Sequence, residues 1–506
     1  MEAASLSQSK PSSRTLARLA PAASLGLALA AGLGLRLWML QHFFEVNGDA
    51  LIYGGLAKNL LLHGRYALTT PGGETYPTLI RLPGYPLFLA ACFRLFGMEN
   101  YASAAFVQIA LELAGCLLLA DFARRIAGPV LGAGAAHATL WLAVLCPFTA
   151  IYAANPLTEA PTLFVLALAL WSVARFRARP GWHLALCFTF AGAFAALLRP
   201  DGALAAVTLA PALVLGLGRG NAHPPIPAKK LARMAAVCAL LALLPFAAWT
   251  ARNWNVFHVF QPLAPRLATD PGEDTHPGWE RWVKSWCLDF VSTYDIYWNV
   301  PDGPLDIDKL PTRAFDSPAQ YAETAALAAD YNAGGQILTP QLDARFAKLA
   351  GERIAAHPLR SSLWLPLGRM ADMWLRPRVE NLPIDLDWWV YSHHRVETRF
   401  SWFYAGLNAF YLLLGIAGLC LRPRLGWAML AYMLLRSALL ATVQAPEARY
   451  TIECFPMLFA LGGIALWAGL RRLQGLQKIK RCQRTLKDRR ERVEAPFRSE
   501  NPPQKA

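Results

Sequence analysis

At 506 residues, with 55% hydrophobic and only 16% charged side chains, the chain is too apolar for an ordinary soluble protein. A net charge of +15 raises nucleic-acid binding, but the basic residues fall in clusters between apolar runs, without an aromatic platform or recognition module, which excludes that partner. Nine cysteines without a C-x-x-C pair argue against a zinc ribbon or a disulfide framework.

A hydrocarbon core ~30 Å thick needs roughly twenty apolar residues in helix, and no other open structure satisfies the backbone in lipid. The sequence predicts an all-α polytopic membrane protein with ten spans, near 16–40, 101–121, 129–153, 157–174, 182–198, 201–217, 232–250, 402–421, 425–443 and 453–470. The first run is too long for a signal-peptide core and lacks a small-residue cleavage site, so it reads as an anchor. Arg124 and Arg125, then Arg175, Arg177 and Arg179, then Arg422 and Arg424 occupy turns that ten crossings bring to one side, together with the basic start and tail. Lysine and arginine enrichment marks the cytosol. Both termini are therefore expected to be cytosolic, and loops 41–100 and 255–400 external. Loop 255–400 holds nineteen acids against fourteen bases, while the rest of the chain has an excess of twenty positive charges. The absence of any N-x-S/T sequon fits a bacterial inner membrane slightly better than the endoplasmic reticulum.

These boundaries divide the chain into a cytosolic N-terminus (1–15), a transmembrane domain (16–254), an external loop domain (255–400), C-terminal helices (401–470) and a basic tail (471–506). The apolar stretch 83–97 opens with two prolines, and as a crossing it would invert every later loop; it is predicted to lie in the interface.

The first external loop runs Glu45-Val-Asn-Gly-Asp49, then a short amphipathic helix to Gly64, a plausible stop. Asp49 and Tyr53 share a face, one turn apart. Two readings stand: Asn47 or Asp49 caps the helix, or Asp49 is a carboxylate beside the headgroups that takes a proton from an attacking hydroxyl. Glu159, entering the span at 157–174, marks a site by default, or else sits wet in a helix first turn favoured by the dipole. Arg199, Arg252 with Asn253, and Arg449 with Tyr450 fall at external ends of spans, and Arg81 precedes the interfacial helix. Each arginine alone can snorkel; together they would make an anion pocket, since the planar guanidinium fork suits phosphate. In the external domain, Trp279, Trp282, Trp286 and Trp298 read as an interfacial aromatic belt. Thr339-Pro340 signals a helix to about Ala356, a second helix follows Pro358, and His393-His394 reads as solvent-facing.

These motifs resemble the polytopic type C glycosyltransferases, nearest to bacterial relatives of dolichyl-phosphate-mannose protein mannosyltransferases and to lipid A aminoarabinose transferases. The resemblance is carried by Asp49-x-x-x-Tyr53, Leu82-Pro-Gly-Tyr-Pro, Leu157-Thr-Glu159, Leu198-Arg-Pro-Asp-Gly202, Trp249-x-x-Arg252-Asn253 and Arg449-Tyr450, in that order from residue 15 to 470. It implies an inverting transfer of a sugar from a polyprenyl-phosphate donor to a hydroxyl of a lipid, glycan or protein. It further implies Asp49 as base, Glu159 as a second acid that binds acceptor or positions the first, and Arg252, with Arg199 and Arg81, neutralising the departing phosphate. No cofactor is implied with certainty, and a divalent metal stays open: the aminoarabinose enzymes have an acid and a lysine near the interfacial helix, whereas Ile80-Arg81-Leu82 stands here. The rival from another class is a transporter or flippase of a lipid-linked or anionic substrate, but mid-depth charges are few (Glu112 and Arg436) and no repeated halves are visible. A non-catalytic interaction protein is the third reading, favoured if the external acids proved dispensable.

Overall fold

A computed structural model describes residues 13–215, 227–301, 303–387 and 394–494. The first half comprises α1 (Ser13–Phe43), α2 (Asp49–His63), α3 (Gly84–Phe96), α4 (Tyr101–Ile126), α5 (Gly128–Val144), α6 (Pro147–Ala154), α7 (Glu159–Ala178), α8 (Trp182–Leu198), α9 (Ala203–Val214) and α10 (Ala228–Phe257). Then follow α11 (Pro277–Lys284), α12 (Phe290–Ser292) running into a π-turn at Thr293–Tyr297, α13 (Pro318–Ala333), α14 (Pro340–Ala356), α15 (Leu365–Leu375), α16 (Arg395–Cys420), α17 (Gly426–Leu440) and α18 (Phe455–Glu494). The sheet content among the described residues is one antiparallel pair, β1 (Ala67–Thr69) with β2 (Thr75–Pro77), in which Ala67 faces Pro77.

Among the described residues six helices are long and apolar enough to cross a membrane, and α5 with α6 makes a seventh as a span bent by 54°. Helices also occupy the other three predicted spans, but α8, α9 and α17 have 17, 12 and 15 residues. At 1.5 Å per residue α9 rises only about 18 Å, so ten full-length crossings are not found among the described residues. Proline and arginine at the ends of α8 and α9 shorten both helices: Arg199-Pro200 closes one and opens the turn to the other.

Contacts between distant segments gather the arginine-rich turns at one end of the bundle. The Arg424 amide donates to the Ile126 carbonyl at the end of α4. Arg177 reaches the carbonyls of Ala212 in the last turn of α9 and of Leu215 just beyond it, and Arg471 reaches Val130 at the start of α5. Arg36 is fully buried and bonds both oxygens of Glu112, at 2.5 and 2.7 Å. It also donates to the carbonyl of Val144 at the α5–α6 bend, where the helix leaves that acceptor without an internal partner. The charges at mid-span thus neutralise one another.

The interfacial helix at 83–97 forms as α3. Its opening is tight: a Cβ on Gly84 would lie 2.6 Å from the Leu197 backbone, so only glycine lets α3 meet the end of α8. Residues from Trp279 to Ala350 pack around a core separate from that of the membrane helices. Trp279, Trp282 and Trp286 are at most 3% exposed there. They are core residues of this region and not an interfacial belt; Trp298 alone of the four stays open. Thr339 caps α14 through its hydroxyl, which accepts from the Leu342 amide. The eight described cysteines are unpaired.

Candidate active site

Gly48, with a left-handed φ of 45°, precedes the first residue of α2, and no side chain caps the helix. Asn47 instead donates to Glu45 at 2.7 Å. Asp49 is therefore free of the capping role, and its carboxylate turns to two arginines. One oxygen accepts from Arg81 at 2.7 Å, the other from Arg449 at 3.2 Å. All three side chains are 23% exposed, which leaves each open to the same cavity. Burial by itself would raise the Asp49 carboxyl, but the guanidinium groups of Arg449 and Arg81 outweigh it and hold the group below the usual carboxylate range. One turn on, Tyr53 packs edge-on against Tyr85 with ring centroids 5.0 Å apart. Burial and the neighbouring Asp49 charge push its phenol up to about 12.

Arg449 lies on a short 3₁₀ segment, Ala448–Cys454, that leads into α18. Its Nε meets Glu447 at 2.5 Å, and Glu447 also accepts the hydroxyl of Tyr450. Burial lifts the Glu447 carboxyl above its ordinary value even though Arg449 opposes the shift. The Tyr450 ring stands between Arg449 and Arg199, 5.7 and 5.4 Å from their guanidinium carbons, a geometry in which the π-face attracts both cations.

Beneath Tyr450 lies a second charged layer. Arg199 meets Glu159 at 3.1 Å, Glu453 at 2.9 Å and Asp201 at 3.5 Å. Arg436, fully buried, bridges Glu453 at 2.8 Å and Asp201 at 3.0 Å. Glu159 is 1% exposed, so the wet first-turn reading does not apply. In the two layers four arginines meet five carboxylates, so no guanidinium there is left without a counter-ion. An arriving anion must displace a carboxylate or meet a protonated one.

A cavity of about 1770 Å³ opens over these layers. Of the residues singled out in the sequence, Asp49, Tyr53, Arg81, Arg199, Arg449 and Tyr450 line it. Glu159 does not; it sits behind Arg199 and reaches the cavity only through that partner. Arg252 and Asn253 also lie off the wall. Arg252 donates to the carbonyls of Thr78 and Tyr66, at 2.8 and 2.6 Å, and lies over the rings of Tyr66, Trp249 and Phe257. Asn253, fully buried, donates to the Gln261 carbonyl. Arg252 holds the exit of α10 against the first loop, Asn253 holds it against the segment that follows, and neither is among the residues that line the cavity.

Sequence reasoning missed several residues here. Glu453 and Asp201 complete the ion pairs of Arg199 and Arg436, and Arg436 carried its own signal, because a charge inside an apolar helix demands a partner. Arg266 and Lys309, both exposed, bring further positive charge to the cavity.

Among the described residues, one group has the spacing of metal ligands: Asp385, His394 and Glu397. His394 lies 3.6 and 3.4 Å from the two acids; His393 falls outside the described residues. Next to Arg81 the carboxylate at hand is Asp49, already paired with two guanidinium groups. That donor set does not suit a divalent cation.

The fold and cavity define a polytopic helical membrane protein with an ion-paired pocket at one end of its bundle. The chain is similar to two solved structures of ArnT from Cupriavidus metallidurans, one bound to undecaprenyl phosphate and one in the apo state. For the first, identity is 16% and the TM-score 0.38, over 86% of this chain and 76% of that one. For the second, identity is 15% and the TM-score 0.36, over 88% and 77%. No protein-family model matches the chain, and neither does any curated protein.

Proposed function

We propose that the protein is an inverting glycosyltransferase. It moves a sugar from a polyprenyl-phosphate donor to a hydroxyl acceptor at the membrane face opposite the arginine-rich turns. The observation that carries this reading is Asp49 held between Arg81 and Arg449 on the cavity wall: a carboxylate suited to act as base and two cations suited to a phosphate, at one point. A site on that face has no access to cytosolic nucleotide sugars, so the donor must arrive through the lipid.

In the resting chain both guanidinium groups are engaged by Asp49. The donor phosphodiester, a monoanion like the carboxylate, competes for them, and the second negative charge that grows on it as the sugar departs draws both guanidinium groups from Asp49. Asp49 then accepts the proton of the acceptor hydroxyl, whose oxygen attacks the anomeric carbon from the side opposite the phosphate. The bond from that carbon to the phosphate oxygen breaks, and the polyprenyl phosphate leaves with the bonding pair. Arg81 and Arg449 stabilise the added negative charge on the leaving group where it develops. Arg199, ion-paired by Glu159, Asp201 and Glu453, keeps Tyr450 and hence Arg449 in place from below.

The deciding experiment is mass spectrometry of membrane lipids and glycans from cells carrying the wild-type chain, cells carrying Asp49→Asn, and cells lacking the gene. A species heavier by one sugar residue is expected with the wild type alone. Identical spectra from all three would remove the transferase reading and favour a transporter of the same lipid-linked class.

A further inference from the structure

On the wall of the cavity supplied by the extramembrane region, the segment from Phe290 to Trp298 presents aromatic rings at a spacing of four residues. Phe290 is buried, whereas Tyr294 is 55% and Trp298 44% exposed. The ring centroids of Tyr294 and Trp298 lie 5.9 Å apart, and each ring also meets Phe290, at 6.4 and 5.4 Å. Phe290 thus braces the two open rings from behind. The π-turn at Thr293–Tyr297 sets this spacing, a local widening that recurs at functional sites. Trp279, Trp282 and Trp286, earlier in the same region, are buried in its core, so the exposure of Tyr294 and Trp298 is not a general property of these aromatics.

The surroundings say what would cover the rings. Asp295, Asp385 and Asp387 line the same cavity, and such carboxylates disfavour lipid chains against Tyr294 and Trp298. Half-exposed aromatic faces bordered by hydrogen-bond acceptors suit one chemical class well. A pyranose ring offers axial C–H groups to an aromatic face and equatorial hydroxyls to carboxylates at its edge. We infer that Tyr294 and Trp298 form a platform for a pyranose ring, with Asp295 accepting from its hydroxyls. This rests on the transferase reading only for which substrate carries the ring, donor or acceptor.

The test uses the full chain purified in detergent and saturation-transfer NMR with four probes: the methyl α-pyranosides of mannose, glucose and galactose, and methyl β-xylopyranoside. The ring C–H protons of at least one are expected to receive saturation from the wild type. Trp298→Ala and Tyr294→Ala should cut that signal at least threefold, while Trp298→Phe keeps most of it. Because both side chains are half open, these variants are expected to keep the wild-type melting temperature. No saturation with the wild type, or an undiminished signal with Trp298→Ala, overturns the platform. Adding the polyprenyl phosphates of the four probe sugars in turn then separates the sources. Loss of the probe signal assigns the platform to the donor sugar, and its persistence assigns it to the acceptor. Identical cell spectra alongside a Trp298-dependent signal would sink the transferase reading and leave the platform standing; the reverse pattern would do the opposite.

Discussion

Arg449 meets Asp49 at 3.2 Å across 400 residues of chain, while Arg81 holds the other oxygen of the same carboxylate at 2.7 Å. The contact joins the first loop after α1 to the turn before α18, so the site closes only when segments near the two ends of the chain come together. An acid between two cations is stabilised as the anion; on the proposed mechanism Asp49 is a weak base at rest and a stronger one once a phosphate draws the guanidinium groups away.

The first prediction concerns Asp49 itself. Asp49→Asn is expected to insert in the membrane normally, because an amide keeps one hydrogen bond to Arg81 or Arg449. Sugar transfer should fall by roughly 10²–10⁴-fold, the usual contribution of a positioned base. Donor binding should hold or tighten, since the competing charge on the arginines is gone. Transfer at the wild-type rate would take Asp49 out of the mechanism, and initial-rate assays with saturating donor would reveal it.

A second prediction follows from the lower layer. Arg436→Met leaves Glu453 and Asp201 in a buried position with one cation fewer. Breaking such a pair costs on the order of 3–5 kcal/mol, so the melting temperature should drop by several degrees. Adding Glu453→Gln to Arg436→Met removes the stranded charge and should recover part of the loss. If the double variant is no more stable than Arg436→Met alone, the charge pairing is not what holds this layer.

Which of these residues could be read from sequence depended on where their partners lie. Asp49 stands out because an acid directly after an apolar helix needs a reason. Arg81, Arg199 and Arg449 stand out as cations at helix ends. Their convergence was legible as a pattern of ends, since alternating crossings bring those ends to one side. Glu453 was hidden, because one acid at the start of an apolar run looks like a boundary residue, and its partner Arg436 belongs to a different helix. The surroundings of Arg252 were hidden for a similar reason: its acceptors are the backbone carbonyls of Thr78 and Tyr66, which leave no mark in a sequence. The tryptophans at 279, 282 and 286 misled because a belt and a small core draw on the same residue type. Helix existence was clear from hydropathy, but the shortness of α9 came from the tight Arg199-Pro-Asp-Gly turn and from where α9 ends at Val214.

Arg252 provides a third prediction. Arg252→Ala strands the carbonyls of Thr78 and Tyr66 and removes cation–π contact with three rings, a loss of about 1–3 kcal/mol. The variant should melt at a lower temperature yet bind donor as tightly as the wild type. A marked rise in donor Kd with an unchanged melting temperature would return Arg252 to the role of phosphate clamp.

A fourth prediction concerns pH. Asp372, on α15, accepts from the Phe290 amide at 3.2 Å and lies 3.5 Å from Arg376. Burial pushes its carboxyl up to about 6, against the pull of Arg376. An acid whose pKa is higher folded than unfolded binds its proton more tightly in the native state, so protonation stabilises the fold. That stabilisation is fully present below the unfolded value near 3.9 and is lost as pH rises through about 6. Melting temperature should therefore decline between about pH 4 and pH 6 by the contribution of this group. Asp372→Asn keeps an acceptor for the Phe290 amide but carries no proton to lose. It should flatten that decline and raise stability at pH 7 by roughly 1–3 kcal/mol, the scale of a shift of one to two pKa units. Because Asp372 anchors Phe290, which braces Tyr294 and Trp298, the same variant should leave pyranoside saturation intact. Melting curves of the two chains at half-unit steps from pH 4 to 8 decide the matter, and parallel slopes would show that burial of Asp372 is not felt in stability.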